Sequence, residues 1–323
     1  MSELLKSIDE RTKLAGTNKL EILMFTLGVD SRSGRREIFG INVFKVREVM
    51  RIPTITRAPE MPNAVEGMVS LRGALVPVID LAKYTGIQTD LKPQIMIVTE
   101  YNGHTQGFLV EAVDTILRLD WSSMKVPPDM LNSQMGGLVT AVTELADGSL
   151  VMMMDVEKVL AETGHFNDDI ALKSVKPISV SGRTVFFADD SSVARKQIVS
   201  TLEAMGVSHL SAVNGRQAWD ELRKIADYAD ASGTQVKDMV QLILTDVEMP
   251  EMDGYMLTKR IKEDKRFVGI PVLMHSSLSS TSNQQLGKAV GVDEYVPKFE
   301  PQRLAQTLER LLIGNKATPP AKG

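Results

Sequence analysis

Four short apolar runs in the second half of the chain each end in residues able to do chemistry. "TVFFADDSS" delivers Asp189 and Asp190, "LILTD" delivers Asp246, "VLMHSS" delivers His275, Ser276 and Ser277, and "EYVPK" delivers Lys298. Carboxylates a few ångströms apart repel by ~1 kcal/mol per pair in water and ~4 kcal/mol near a protein surface. They coexist if one is protonated or if a cation is bound. The donors on offer are hard oxygens, which suits a hydrated Mg2+ that keeps coordination sites open for a phosphate. Lys298 would add a point charge beside the same anion. The chemistry suggested is Asp246 as nucleophile toward a phosphoryl donor, forming an acyl phosphate. Mg2+ and Lys298 would neutralise the developing charge, and Ser276 would bind an oxygen of the transferred group. Taken singly, each residue has a plainer role. Asp190, ahead of "SSVARK", can be a helix N-cap, Asp246 can end a strand, and Lys298 can be a surface lysine. Only their joint arrival at one edge makes the chemistry.

That edge has to be built. After about Gly182 the sequence alternates strand and helix. The strands are "TVFFAD", "HLSAV", "VQLILTD", "PVLMHS" and "DEYVPK", with helices starting near Ser191, Arg216, Tyr255, Thr281 and Pro301. Such alternation predicts a doubly wound parallel sheet with helices on both faces, whose site lies at the carboxyl ends of the strands. The segment "YADASGTQVKD" is expected to lengthen the link between the second helix and the third strand.

From about Leu20 to Leu160 the rhythm differs. Short apolar runs follow one another with turn signals between them, including Asn102-Gly103 and Asp147-Gly148. "SRSGRRE" fits a solvated hairpin loop, and "MMM" at Met152–Met154 fits core strand filler. Val43–Met50 and Val156–Thr163 are expected to be helical. Many short strands with few helices predict small barrels or a sandwich. Within "GMVSLRGALVPVIDLAKYTG", two strands join near Arg72-Gly73 and a short helix follows. Arg72 at that turn is either an exposed forked donor for an interface or an ordinary surface arginine.

Composition excludes several classes. The 323 residues hold 37 Lys+Arg against 41 Asp+Glu, net −4, so no basic module for a phosphate backbone is expected. There is no cysteine, so disulfides and thiolate chemistry are absent. The four histidines lack metal-ligand spacing, and no nucleophile elbow or phosphate-binding glycine loop occurs. No apolar run reaches the roughly 20 residues that span a membrane, and the first residues lack the apolar core of a secretory signal. A cytoplasmic protein without nucleic-acid binding or membrane insertion is expected. "SELLKSIDERTKLAG" has spacing compatible with an amphipathic helix.

"ADDSSVAR" and "LILTDVEMPEMDG" make the second half resemble a response-regulator receiver domain. The resemblance implies Asp246 as phosphoacceptor, Ser276 as switch hydroxyl, Tyr295 as switch aromatic, and Lys298 as the active-site lysine. It also implies Mg2+ held by Asp189, Asp190, Asp246 and the backbone carbonyl of Glu248. In "VPKFEP" the chain departs from the family's usual Lys-Pro, often joined by a cis bond. A cis bond before Phe299 would cost ~3 kcal/mol instead of under ~1 kcal/mol, so a different loop geometry is expected. The first half, through "EIFGINVFKVREVM", "GMVSLRGALVPVIDL" and "VEKVL", resembles a CheW-like domain of two small SH3-like barrels. That resemblance places Gly67 and Arg72 on or near the surface that meets chemoreceptors and the histidine kinase CheA. Together the halves resemble the CheV family of chemotaxis coupling proteins. The implied organisation is an N-terminal segment (1–19), a CheW-like domain (20–164), a linker (165–181), a receiver domain (182–314) and a disordered tail (315–323). The implied function is an adaptor between chemoreceptors and CheA, not an enzyme in its own right, tuned by phosphoryl transfer to Asp246. An alternative is a tethered sink for CheA phosphate.

Overall fold

The computed structural model describes residues 19–57, 59–101, 104–128, 136–163, 175–178, 182–277 and 281–313. The N-terminal segment, most of the linker and the tail lie outside the described residues. The chain divides into two compact units at Phe166/Asn167. Among the described residues no helix is long and apolar enough to cross a membrane.

The first unit contains two five-stranded sheets, each curled into a barrel. One has β1 (Lys19–Thr26), β2 (Ile38–Asn42), β8 (Ala112–Asp120), β9 (Val139–Glu144) and β10 (Leu150–Met154), in the order β8-β1-β2-β10-β9. The other has β3 (Val46–Arg51), β4 (Val65–Leu71), β5 (Ala74–Asp80), β6 (Ile95–Tyr101) and β7 (His104–Val110), in the order β3-β6-β7-β5-β4. Single bridges, Lys125↔Val142 and Thr56↔Met68, draw the ends of each sheet together. Two short helices, α1 (Leu81–Thr85) and α2 (Val156–Thr163), complete the unit.

β1 shows why this unit contains continuous apolar runs instead of alternation. Its Leu20, Ile22 and Met24 point into the first barrel with Trp121 and Val151. Its Leu23 and Phe25 face a second core that holds Phe39 and Ile41 of the first barrel, Ile97 and Phe108 of the other, and Val159 of α2. The three methionines of β10 divide the same way, Met153 inward and Met152 and Met154 into the shared core, as strand filler. Asp147-Gly148 joins the antiparallel β9 and β10, Asn102-Gly103 lies outside the described residues, and "SRSGRRE" lies between the paired β1 and β2.

Val43–Met50 is not a helix. Only Val43–Lys45 forms a 3-10 turn, capped by Asn42, and the chain then enters β3. The apolar spacing of Val43, Val46 and Met50 imitates a helix, but the backbone is claimed by pairing with β6, from Val46↔Thr99 to Arg51↔Ile95. Tertiary pairing of a β-branched segment outweighs its local pattern.

The second unit is a parallel sheet of β11 (Thr184–Ala188), β12 (Ser208–Ala212), β13 (Leu242–Thr245), β14 (Val272–Ser276) and β15 (Glu294–Pro297), in the order β12-β11-β13-β14-β15. Alternate strand residues face opposite helix layers. Val185, Phe187, Leu244 and Leu273 pack on α3 (Ser192–Ala204) and α8 (Pro301–Ile313). Phe186, Ala188, Ile243 and Val272 pack on α4 (Gly215–Ser232), α5 (Val236–Met239) and α6 (Gly254–Glu263). α7 (Thr281–Ala289) follows β14. The "YADASGTQVKD" stretch is mostly helical: α4 runs on to Ser232, stopped by Gly233 at φ +67°, and α5 follows. Ala226 and Ala229 bury the extension against Val236 and Val240, which an apolar count confined to the loop does not reveal.

Gly67 closes the second barrel. The register of β4 shifts between Val65 and Gly67, and Met68 and Thr56 exchange backbone hydrogen bonds of 2.9 and 2.8 Å. Gly67 sits at φ +137°, where a Cβ would lie 2.2 Å from the Thr56 carbonyl oxygen. Gly67→Ala is therefore expected to destabilise the first unit by about 2–4 kcal/mol, combining backbone strain with overpacking. Gly73→Ala, at φ +84° with nothing within 4 Å, should cost about 1 kcal/mol. Urea midpoints of the two variants test this, and equal losses would show that closure does not depend on the missing side chain.

Candidate functional site

The carboxyl ends of β11, β13, β14 and β15 bring Asp189, Asp190, Asp246, Ser276 and Lys298 to one edge of the sheet. The ladder continues past the strand ends: the Asp246 amide donates to the Ala188 carbonyl at 2.9 Å, and the Asp189 amide to that of Ala212 at 3.3 Å. The helix cap at α3 is Ser191, whose hydroxyl accepts from the Ala194 amide, and not Asp190. Asp189 is also fixed locally, its Oδ1 accepting from the Ser191 amide at 2.9 Å.

Arg195 is a residue that sequence reasoning missed. One guanidinium nitrogen donates to the carbonyls of both Asp189 and Asp190, each at 2.9 Å, and so ties down the peptide planes of the acidic pair. Its signal was its place one helical turn after the cap, where a long donor side chain reaches back over the helix start.

Asp246 is held at both oxygens. Oδ1 accepts from the Val247 amide at 2.6 Å and Oδ2 from the Lys298 ammonium at 2.9 Å, which fixes the carboxylate plane. Behind it, Gly254 opens α6 so close that a Cβ would lie 1.9 Å from the Asp246 carbonyl oxygen. Asp253 caps that helix, accepting from the Met256 amide at 2.6 Å. Lys298 is 1% exposed and also lies 3.0 Å from Asp189 Oδ2. Ser276 is fully buried and hydrogen-bonded to Tyr295, whose phenol is pushed well above its ordinary range by burial.

One oxygen from each of Asp189, Asp190 and Asp246 lies within 4.8 Å of the others. At about 4 Å and an effective dielectric of 20, each like-charged pair costs ~4 kcal/mol. Lys298 offsets part of this repulsion through Asp189 and Asp246. Hard oxygen donors with surplus negative charge fit a small divalent cation. Glu248, whose carbonyl the resemblance adds to the ligands, is buried in the loop after Asp246. The arrangement can seat a cation beside an oriented carboxylate and so receive an anionic group.

Among the described residues every peptide bond is trans. Phe299 is accommodated instead by a left-handed backbone at φ +61°, which costs a residue with a side chain ~1–2 kcal/mol.

In the first unit, Arg72 and Gly73 are the two central residues of a hairpin turn, both at positive φ, +50° and +84°, with Leu71 paired to Ala74. The Arg72 side chain is 69% exposed and bonds Glu48 at 3.1 Å. Gly67 is buried under Thr56 and Arg57, where its missing side chain lets the barrel close.

The CheW-like domain family matches residues 21–164, and the response regulator receiver domain family matches residues 185–309. Over 303 residues the chain is 30% identical to the chemotaxis protein CheV3 of Helicobacter pylori, covering 92% of this chain and 96% of that protein. Its first half is 30% identical over 154 residues to the chemotaxis protein CheW of Klebsiella aerogenes, covering 46% of this chain and 87% of that protein. Its second half is 34% identical over 129 residues to the chemotaxis protein CheY1 of Helicobacter pylori, covering 39% of this chain and 94% of that protein.

Burial pushes the Asp253 carboxyl up to about 6, against amide hydrogen bonds from Met256 and Tyr255 that pull it down. The folded state then binds more protons than the unfolded state between about pH 4 and pH 6, so stability falls as pH rises through that window and levels off above it. The full drop is at most about 3 kcal/mol. Asp253→Asn keeps a cap of similar quality and should flatten this part of the profile. Urea midpoints at pH 4.5 and 7 for both proteins check it, and an unchanged slope would remove Asp253 as its source.

Proposed function

The chain belongs to the CheV family of chemotaxis proteins, and on that premise we propose that it is an adaptor coupling chemoreceptors to the histidine kinase CheA. Residues 20–164 serve as the coupling domain, and residues 182–314 as a receiver that takes a phosphoryl group from CheA on Asp246. The protein works in the cytoplasm, at receptor arrays. The observation that most supports this reading is the buried Lys298 ammonium between Asp189 and Asp246. A cation so enclosed is costly unless its site is organised around anions.

In the proposed reaction an Asp246 carboxylate oxygen attacks phosphorus in line. The bond from phosphorus to the donor imidazole nitrogen breaks, and the electron pair leaves with the imidazole, which takes up a proton. Val247 and Lys298 orient the carboxylate before attack, a contribution of position. Lys298 remains as a fixed positive charge beside the growing negative charge. Asp189, Asp190, Asp246 and the Glu248 carbonyl would hold Mg2+, which when bound supplies charge neutralisation for the phosphoryl oxygens. Ser276 would bond an oxygen of the transferred group, and its hydrogen bond to Tyr295 would carry that event to β15.

Arg72 supports the coupling half. A non-glycine residue at φ +50° on a hairpin tip holds its side chain out at a conformational cost, and such strain gathers at functional positions. Arg72 would meet the partner directly, and Gly67 would shape the barrel that presents it.

Asp246→Asn is expected to abolish label transfer from phosphorylated CheA while leaving co-sedimentation with receptor arrays largely intact. Loss of both on a folded variant would count against separate modules. The decay of wild-type label separates two modes, since a lasting phosphoryl group suits a switch and rapid loss suits a phosphate sink. Arg72→Ala should weaken array co-sedimentation by about tenfold, the scale of a moderate contact, with phosphorylation unaltered. Unchanged co-sedimentation would remove Arg72 from the interface.

A further inference from the structure

Asp189 and Asp190 are adjacent in the chain, which is an obstacle to their sharing a cation. Along an extended strand successive side chains leave on opposite faces. Had β11 run straight on, Asp190 would point away from Asp189. Instead one oxygen of each lies within 4.8 Å of the other and of Asp246, and the chain bends at Asp190. The meeting of the pair is therefore set by two peptide planes, the one before Asp190 and the one after it. Peptide groups are planar, so holding both planes fixes φ and ψ of Asp190, and with them the direction of its Cβ.

The first plane carries the Asp189 carbonyl and the second the Asp190 carbonyl. Arg195 Nη1 donates to both, each at 2.9 Å. Asp189 has a further restraint of its own, the Ser191 amide on its Oδ1 at 2.9 Å. Arg195 is itself held one helical turn after the cap, its amide donating to the Ser191 carbonyl at 3.0 Å. One side chain thus locks the bend to the start of α3. Charge alone argues against an arginine at this place, because a guanidinium against the backbone of two acidic residues repels a divalent cation. Position and charge pull metal affinity in opposite directions, and that makes them separable.

We infer that Arg195 is a positioning residue for metal binding. By holding the two peptide planes that flank Asp190 it turns that carboxylate toward Asp189 and Asp246, and it raises the affinity of the cluster for a divalent cation despite its own charge. The inference rests on the reading of this edge as a metal and phosphoacceptor site.

The test is calorimetric titration of Mg2+ into the full chain with no phosphodonor present. Arg195→Met removes the charge and both hydrogen bonds, and should weaken Mg2+ binding about tenfold, the scale for a group that orients a metal ligand. Arg195→Lys keeps the charge, but its nitrogen stops one bond short of Nη1, so it should recover only part of the affinity and bind about fourfold more weakly than the wild type. The lysine variant carries the test if the methionine variant fails to fold. An Asp190→Asn background closes a double-mutant cycle: either Arg195 variant should there cost less than about twofold, because the carboxylate being aimed is gone. Tighter Mg2+ binding by Arg195→Met would show that charge outweighs position and would overturn the inference. So would a lowered urea midpoint with unaltered Mg2+ affinity, equal losses in both backgrounds, or no Mg2+ binding by the wild type. Label uptake from acetyl phosphate at saturating Mg2+ keeps the two readings apart. No uptake by the wild type, with a coupled cycle, would count against Asp246 as phosphoacceptor and leave Arg195 in its role. Uptake with an uncoupled cycle would do the reverse.

Discussion

Mutual repulsion among Asp189, Asp190 and Asp246, partly relieved by one buried ammonium, is the constraint to which much of the second unit answers. The strand order makes β11 and β13 direct neighbours, so the two carboxylates that Lys298 touches come from adjacent strand ends. β15 is separated from β13 by β14, a gap of about 9–10 Å between strand axes. Among common cations only a long, flexible side chain spans that gap, which is why lysine on the outer strand can meet aspartate on the inner one. Gly254, Ser191 and Arg195 then serve one end: each removes freedom from the backbone that carries a negative charge.

The doubly wound sheet was legible because β11, β13 and β14 are buried on both faces and these strands and β15 each lead into a charged or hydroxyl residue. Phe186 and Phe187 pack on opposite helix layers, so "TVFFA" had no reason to alternate, and the two aspartates that follow mark where burial stops. The barrels were legible from turn pairs, above all Arg72-Gly73, where the two-residue hairpin appears as expected. What escaped depends on contacts between distant residues. Nothing local distinguishes Val46–Arg51 from a helical turn until β6, nearly fifty positions later, pairs with it. Arg195 was visible as a residue type, but its bonds to two successive carbonyls follow from the bend of the chain over α3. Gly67 was singled out for its company, and its reason is a steric one at Thr56.

The two units meet their polar obligations differently. In the second, charge is concentrated at one strand edge and kept there by buried hydrogen bonds. In the first, α2 carries the polar links: Glu157 pairs with Lys45 at 2.9 Å, Glu162 bonds Tyr84, and Thr163 bonds Gln106. These join the helix that follows the last strand of one barrel to elements of the other, so polar specificity lies over the same seam as the shared apolar core. The attraction in a largely enclosed pair such as Lys45–Glu157 is offset in good part by the cost of taking both charges out of water.

The two-sided burial of β1 has a consequence for biogenesis. The outer partner of "KLEILMFT", β8, pairs with it from roughly ninety residues further on, about 5–20 s of synthesis at ordinary elongation rates. During that interval the face of Leu20, Ile22 and Met24 lacks Trp121, Ala141 and Val151, which cover it in the finished barrel. The strand's sole charged residues are Lys19 and Glu21, near one end, so little along its length repels a second nascent copy. A strand buried on both faces in the finished first unit is therefore open to mispairing on the ribosome, and it is there that a chaperone would find apolar surface to hold.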